Sequence, residues 1–143
     1  MHLPATLVSS LLIHLTVLNL NLARHYNLGL RELLVVAVLA IREELSFRQL
    51  HEALSIPKSA LTGIIDHLHV RGMVERRQDR RDRRRWLVSL SPSGQRLAQM
   101  MQEEEADLLQ SAFEGLSQAE QEAFLKATRA LTMTTRVSAK AQG

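Results

Sequence analysis

The sequence contains no cysteine among its 143 residues. This absence excludes disulfide bonds, thiolate-bound zinc, iron–sulfur clusters, thiol nucleophiles and every redox switch based on cysteine. The remaining composition, with 45% hydrophobic and 23% charged residues, is typical of an ordinary folded protein. We therefore expect residues 1–143 to form one domain in the cytoplasm.

Motifs of the common enzyme classes are also absent. The sequence has no serine-nucleophile elbow, no P-loop, no His-Glu-x-x-His and no paired carboxylates beside a base. We therefore predict no catalytic activity and no cofactor. Six histidines raise the alternative of a bound metal, but no two of them have the spacing His-x-x-x-His, so we predict no metal site.

Charge is distributed very unevenly along the chain. Basic residues are absent from Gln102 to Leu125, which carries seven acidic residues, whereas Arg71 to Arg85 holds eight arginines against three acidic residues. This basic segment has a net charge of +5 in a chain whose total is +3. Such a segment is typical of a surface that meets DNA or an anionic membrane, and an ordinary solvated surface is the alternative.

Charged residues are missing from Pro4 to Ala23, a stretch as long as the roughly 20 residues of a membrane span. Polar residues interrupt it, and its apolar residues form two stripes at helical spacing. The first comprises Leu7, Leu11, Leu15, Leu18, Leu22 and Tyr26, and the second comprises Ile13, Val17 and Leu20. Because a helix that packs only on its own domain needs one stripe, we predict a helix shared with a second subunit. A peripheral membrane protein is the alternative.

A helix-turn-helix is predicted in the middle of the chain. Leu30 to Glu44 is apolar nearly all round and predicts a central buried helix. Ser46 and Gln49 form a capping box that begins a short helix over Phe47–Leu54. After the turn at Pro57, a helix over Lys58–Arg71 ends at Gly72. Two short helices joined by a tight turn predict a helix-turn-helix.

A basic β-hairpin follows that motif. Two extended runs, Met73–Gln78 and Arg85–Leu90, flank a polar tip at Asp79–Arg84. This order is typical of a winged helix-turn-helix, in which the second helix occupies the major groove and the hairpin tip reaches the minor groove.

Two more helices complete the predicted chain. Ser91 and Pro92 begin a long helix to about Glu114. A capping box at Ser117 and Glu120 begins the last helix.

The ordered motifs Ile56–Leu68, Arg71–Arg76, Asp82–Arg84 and Leu90–Gly94 resemble the MarR family of bacterial transcription regulators. The resemblance implies a mainly α fold of about six helices plus a β-hairpin wing, with the winged helix-turn-helix at 30–91. It also implies a homodimer built from intertwined helices at 4–26 and 92–136. Such dimers bind palindromic operators in double-stranded DNA, and many release the DNA when a small aromatic or anionic effector binds.

The Lys58–Arg71 helix would be the recognition helix. Leu61, Ile64, Ile65 and Leu68 are predicted to face inward. The residues assigned to DNA contact on this helix are Lys58, Ser59, Ala60, Thr62, Gly63 and His67. Many relatives carry an arginine at the position of Gly63, so the resemblance assigns sequence readout to Ser59, Thr62, His67 and DNA shape. A solvated helix face is the alternative.

In the hairpin, Asp82-Arg83-Arg84 matches the Asp-x-Arg element of the family. The resemblance implies that Arg84 enters the minor groove and that Asp82 supports it. Further contacts to DNA are assigned to Arg77, Arg80, Arg81 and Arg83. Since Arg76 and Arg77 lie on alternate faces of a strand, one should face inward, and Asp66 is its predicted ion-pair partner; we assign Arg76 and Asp66 to wing support.

The only tryptophan and two of the histidines are open to alternative interpretations. Trp86 is predicted to lie in the core, with a base-stacking platform as the alternative. His14 and His25 could line an effector pocket and bind a carboxylate, with packing in the dimer interface as the alternative.

The sequence therefore favours a homodimeric, ligand-responsive repressor. The alternative is a dimeric interaction module or anti-repressor whose DNA binding is weakened, which the glycine at position 63 suggests.

Overall fold

The computed structural model describes residues 1–134 and confirms a mainly helical winged helix-turn-helix. The elements in chain order are α1 (Ala5–His25), α2 (Leu30–Arg42), β1 (Glu44–Ser46), α3 (Phe47–Leu54), α4 (Lys58–Val70), β2 (Val74–Gln78), β3 (Trp86–Leu90), α5 (Pro92–Glu114) and α6 (Gln118–Thr134). The C-terminal region predicted to reach residue 136 includes two residues, 135 and 136, that lie outside the described part.

Side-chain caps begin three of these helices as predicted. The Ser46 hydroxyl accepts a hydrogen bond from the Gln49 amide at 3.2 Å, and the Gln49 side chain accepts one from the Ser46 amide at 2.8 Å. The Ser91 hydroxyl accepts from the Gly94 amide at 3.0 Å, and the Ser117 amide donates to the Glu120 carboxylate at 2.8 Å. These caps satisfy amides that the first helical turn leaves without partners.

The predicted continuation of the second helix to Glu44 is wrong. The helix ends at Arg42 because Glu43 adopts a φ of 65°, which breaks the helical backbone. The next three residues form β1, which pairs antiparallel with β3, so the sheet has three strands in the order β1-β3-β2. The hairpin is therefore bonded to β1, the strand directly before α3, as well as being connected to the end of α4.

The core lies between α2, α4 and the sheet. Leu33 and Val36 of α2 are fully buried with Leu61 and Ile65 of α4 and with Val88 of β3. The predictions of a central buried α2 and of an inward face on α4 are confirmed at these positions. Ile64, also predicted to face inward, is only partly buried against this core.

Within residues 1–134, α1 packs on other elements only at its C-terminal end. Leu22 and Ala23 are buried, whereas Leu7 of the first stripe is 65% exposed and Ile13 of the second is 62% exposed. With a mean hydropathy of 1.6, α1 is long and apolar enough to cross a membrane by length and composition, a test that other apolar helices also pass. Most of both stripes is thus uncovered within one chain.

α5 begins in direct contact with the residue that precedes β2. The Ser91 amide donates to the Met73 carbonyl oxygen at 3.0 Å, and the Ser91 hydroxyl donates to the Gly72 carbonyl oxygen at 2.5 Å. A Cβ atom at Gly94 would lie 2.0 Å from the Met73 oxygen, a distance that no side chain permits. Glycine at this position allows α5 to pack against the base of the wing.

Candidate nucleic-acid interface

One face of α4 carries small, polar and exposed residues. Lys58, Ser59, Thr62 and Gly63 are exposed there, and the Thr62 hydroxyl donates to the Lys58 carbonyl oxygen at 3.3 Å. In the described part of the chain, no atom lies within 4 Å of where a Gly63 Cβ would stand. This surface is open to close approach by a base edge or a phosphate.

Ala60 and His67 lie beside this surface, and each contacts the rest of the protein. Ala60 is partly buried against the core, and the His67 Nδ1 contacts the carboxylate of Glu32 on α2. Glu32 is almost buried, and its carboxylate also accepts a hydrogen bond from the Gly29 amide at 2.9 Å. Helical periodicity could not reveal this partner, which is 35 residues away in the chain.

Arg71, at the C-terminal end of α4, makes a contact that sequence analysis missed. Its Nη1 donates to the Asn27 carbonyl oxygen at 2.7 Å, and its Nη2 lies 3.5 Å from the Tyr26 carbonyl oxygen. Cations are favourable beside the carbonyl groups that end a helix, and these carbonyls directly follow α1. In the sequence, Arg71 was one arginine of the basic segment and carried no signal of this role.

The structure brings Asp66 and Arg76 together. Arg76 Nη1 donates to Asp66 Oδ1 at 2.5 Å, and this ion pair joins α4 to β2. Arg76 faces the helices because it stands opposite the buried Val88 in the sheet register. The pair connects α4 to the hairpin by a charge-assisted hydrogen bond.

Arg77, assigned to DNA contact, is bound to another part of the protein. Its Nε and Nη2 donate to the two carboxylate oxygens of Glu44 at 2.8 and 2.6 Å. This hydrogen-bonded carboxylate raises the pKa of the Arg77 guanidinium above its ordinary value. A contact to DNA by Arg77 must therefore compete with Glu44.

The wing tip is ordered by its two aspartates. Asp82 Oδ1 accepts hydrogen bonds from the Arg84 amide at 3.0 Å and from Arg84 Nε at 3.2 Å. The backbone hydrogen bond first, and then the guanidinium, hold the pKa of the Asp82 carboxyl below its usual range. Asp79 accepts from the Arg81 amide at 2.9 Å. The Arg84 side chain remains 91% exposed, so its Nε is held by Asp82 while the end of the guanidinium faces solvent.

The other assigned wing arginines extend into solvent. Arg80, Arg81 and Arg83 are exposed. Together with Arg84 they concentrate positive charge at the tip of the hairpin, where a phosphate backbone would gain most from it.

The prediction that Trp86 lies in the core is wrong, because the residue is 46% exposed. Trp86 is the first residue of β3, opposite Gln78, so it lies closer to the hairpin tip than Val88, the first buried residue of the strand. It lines an open cleft of about 420 Å³ with Phe47, His69 and Arg76.

The two candidate effector contacts both lie exposed on α1. His14 Nδ1 donates to the Ser10 carbonyl oxygen of its own helix at 2.6 Å. The His25 ring stands edge-on to the Tyr26 ring, with centroids 4.8 Å apart. Their assignment to an effector pocket stays a prediction. Within residues 1–134, no group of three residues of the types that bind metal ions comes together.

Comparison with known proteins relates this geometry to one family. A family model described as MarR family matches residues 26–85. The uncharacterized HTH-type transcriptional regulator YwhA of Bacillus subtilis strain 168 is 31% identical over 80 residues, which are 56% of this chain and 58% of YwhA. The match thus spans little more than half of that relative.

Two solved structures extend the similarity to nearly the whole chain. NadR in complex with 4-hydroxyphenylacetate has a TM-score of 0.74 at 21% identity, over 93% of this chain and 95% of that one. BpsR of Bordetella bronchiseptica, whose DNA binding is regulated by 6-hydroxynicotinic acid, has a TM-score of 0.59 at 26% identity, over 87% and 98%. Residues 26–85 therefore match the MarR family model, and the fold of most of the chain is similar to the folds of NadR and BpsR.

Proposed function

We propose that this protein is a transcription regulator that binds a palindromic operator as a homodimer and is located in the cytoplasm. The observation that carries the proposal is the ion pair between Asp66 and Arg76, which joins the open face of α4 to the arginine-rich wing. An exposed helix and a cationic hairpin held at a constant relative orientation form a single surface for adjacent DNA grooves.

Each part of this surface has a distinct role. Lys58 and the wing residues Arg80, Arg81 and Arg83 bind phosphates, and they set affinity without reading sequence. Ser59 and Thr62 present hydroxyl groups to base edges beside the open position of Gly63. Arg84, oriented by Asp82, enters the minor groove. Arg77 contributes less than these because Glu44 already binds it.

The homodimer is supported by the apolar surface that one chain leaves uncovered. α1 exposes apolar side chains along most of its length, and α5 and α6 add more. The exposed members on α5 and α6 include Met100, Leu108, Leu109, Phe124, Leu125, Leu131 and Met133. Soluble monomers rarely expose contiguous apolar surface of this extent. Residues 4–26 and 92–136 are therefore proposed as the dimerisation region, and 30–91 as the DNA-binding region.

A small aromatic or anionic effector is proposed to control the DNA binding and so to make the protein a ligand-responsive repressor. This part rests on the similar structures, one in complex with 4-hydroxyphenylacetate and one whose DNA binding 6-hydroxynicotinic acid regulates. His14 and His25 are its proposed contacts.

Two measurements test the function. Light scattering should give a mass near twice 16.2 kDa. Mobility shift on the protein's own upstream DNA should show weaker binding by Arg84→Ala and Lys58→Ala. Arg129→Gln on α6 removes the same charge far from the proposed DNA interface; once light scattering shows that this variant keeps the wild-type mass, it should bind DNA like the wild type. A stable monomer, or equal affinity for all four proteins, contradicts the proposal.

An interaction module or anti-repressor with weak DNA binding is the second candidate. Two observations favour it, since position 63 has no side chain and Arg77 is occupied by Glu44. This candidate predicts the same dimer mass, but affinity for palindromic DNA no greater than for unrelated DNA of equal length.

A further inference from the structure

Two polar side chains attach the C-terminal half of α4 to the turn between α1 and α2. His67 contacts Glu32 at the beginning of α2, and Arg71 donates to the Asn27 carbonyl oxygen at 2.7 Å. His67 and Arg71 are four residues apart and so lie on the same face of the helix. The recognition helix thus has two polar attachments to the segment that directly follows α1.

The same turn also contacts α5. The Tyr26 hydroxyl donates to Glu104 Oε2 at 2.8 Å. Residues 26 and 27 therefore connect α4 to both proposed dimerisation helices. They directly follow α1, they accept hydrogen bonds from Arg71 at the end of α4, and Tyr26 binds Glu104 of α5.

The turn itself is tightly constrained. Asn27 adopts a φ of 53°, and the Leu28 amide donates to the Ala23 carbonyl oxygen at 2.7 Å. Glu32 also binds the Gly29 amide, so its carboxylate joins the turn to His67. These bonds give a continuous set of contacts from the end of α1 through the turn to α4.

We propose that Arg71 is a positioning residue that sets the direction of α4 relative to α1, and thereby the separation of the two recognition helices in the dimer. This inference rests on the proposed dimeric DNA binding. Arg71 acts through the Asn27 and Tyr26 carbonyl groups and not through a phosphate. Its loss should therefore change which half-site spacing the dimer prefers.

Half-site spacing is a sensitive measure of this role. Recognition helices of a dimer meet half-sites about 34 Å apart, one turn of DNA. An inserted base pair both lengthens the site and rotates one half-site around the helix axis, so a dimer with rigidly held helices tolerates few spacings. A dimer with loosely held helices tolerates more.

The first experiment measures the affinity of Arg71→Gln for operators whose spacers differ by one or two base pairs. We expect the ratio between the affinities for the best and the second-best spacing to fall by about tenfold, which corresponds to a free energy within the range known for coupled neighbouring groups. The dependence of affinity on salt should stay unchanged. Arg71→Lys, which keeps the charge and one donor for the Asn27 oxygen, should restore part of the ratio. An unchanged ratio overturns the proposal.

A direct role of Arg71 in DNA binding gives a different result. Loss of a phosphate contact lowers affinity equally at every spacing and makes the logarithmic salt slope shallower by about one unit per contact. Arg81→Gln at the wing tip is the matched control and should behave in this way. If Arg71→Gln behaves like Arg81→Gln, the positioning role is wrong.

A second measurement needs no DNA and so separates this inference from the proposed function. Because the chain has no cysteine, Ser59→Cys provides one spin-label site on each α4. In the dimer, the distance distribution between the two labels should be narrow, and it should broaden or shift when Arg71→Gln is added. The same distribution with and without Arg71→Gln, or a protein that stays monomeric, overturns the inference. Failure of the unlabelled wild type to bind DNA bears only on the proposed function.

Discussion

Arg77 of β2 binds Glu44 of β1 through two parallel hydrogen bonds of 2.8 and 2.6 Å. β3 lies between these two strands, and Arg77 stands opposite Leu87 while Glu44 stands opposite Ser89. The pair therefore crosses the face of the sheet that points away from the helices. A cation that the sequence assigned to DNA is paired on the protein surface with a carboxylate of the same chain instead.

Glu44→Gln should strengthen DNA binding. The substitution removes one negative charge and releases the Arg77 guanidinium, so affinity at low salt should rise and the logarithmic salt slope should steepen by about two units per dimer, one for each released arginine. Fluorescence anisotropy over a series of salt concentrations measures both quantities. The double variant Glu44→Gln with Arg77→Gln should return the slope to its original value, and an unchanged slope in the single variant shows that Arg77 stays away from phosphates.

Gly94→Ala should destabilise the fold. Its added methyl group would stand 2.0 Å from the Met73 carbonyl oxygen, so either α5 or the base of the wing must move. Overpacking of this kind costs about 1–3 kcal/mol. Urea denaturation followed by circular dichroism gives the free energy of unfolding, and an unchanged midpoint would mean that α5 does not begin against Met73.

Gly63→Ala is the opposite case and should stabilise the protein. The surroundings of position 63 are open, and replacing glycine by alanine inside a helix contributes about 1 kcal/mol because the unfolded chain loses conformational freedom. The same urea experiment tests it, with Gly94→Ala as the contrasting glycine. Destabilisation by Gly63→Ala would contradict an open outer face on α4.

The ionisation of Tyr26 should report its contact with α5. The hydrogen bond to Glu104, together with partial burial, raises the pKa of the Tyr26 hydroxyl above its ordinary value of about 10. The contact therefore contributes its full stability below pH 10, and that stability is lost as the pH rises through the folded-state pKa.

Tyr26 is the only tyrosine in the sequence, so the ultraviolet absorbance of tyrosinate follows this one group. Titration of the wild type should show a midpoint above that of the urea-unfolded chain. Glu104→Gln should bring the midpoint down toward the unfolded value, and Tyr26→Phe should abolish the signal. Identical midpoints for the folded wild type and Glu104→Gln would exclude the contact between α1 and α5.

Local patterns in the sequence were sufficient for most of the fold. The serine caps, the buried face of α4 at Leu61 and Ile65, and the hairpin depend on neighbours within a few residues. β1 was missed because three residues show no periodicity and because Ser46 is both a strand residue and a helix cap. Trp86 was misplaced because residue type suggested burial, while its position at the end of β3 decides its exposure.

The candidate site was less accessible to sequence analysis because its long-range partners decide the roles of its charged residues. Asp66 and Arg76 are ten residues apart, and the alternation of a strand was enough to suggest their pairing. Arg77 and Glu44 are 33 residues apart, and Arg71 and Asn27 are 44 apart. Nothing in the chain between them indicates that they meet.

In the proposed homodimer, the mostly exposed α1 makes the abundance of the protein part of its control. In an obligate homodimer, stability cannot be separated from protomer concentration. The proposed DNA-binding species then forms by a second-order reaction, so at low abundance its amount varies with the square of the number of chains. A twofold change in synthesis would alter operator occupancy by more than twofold, which gives the gene a threshold response without any effector.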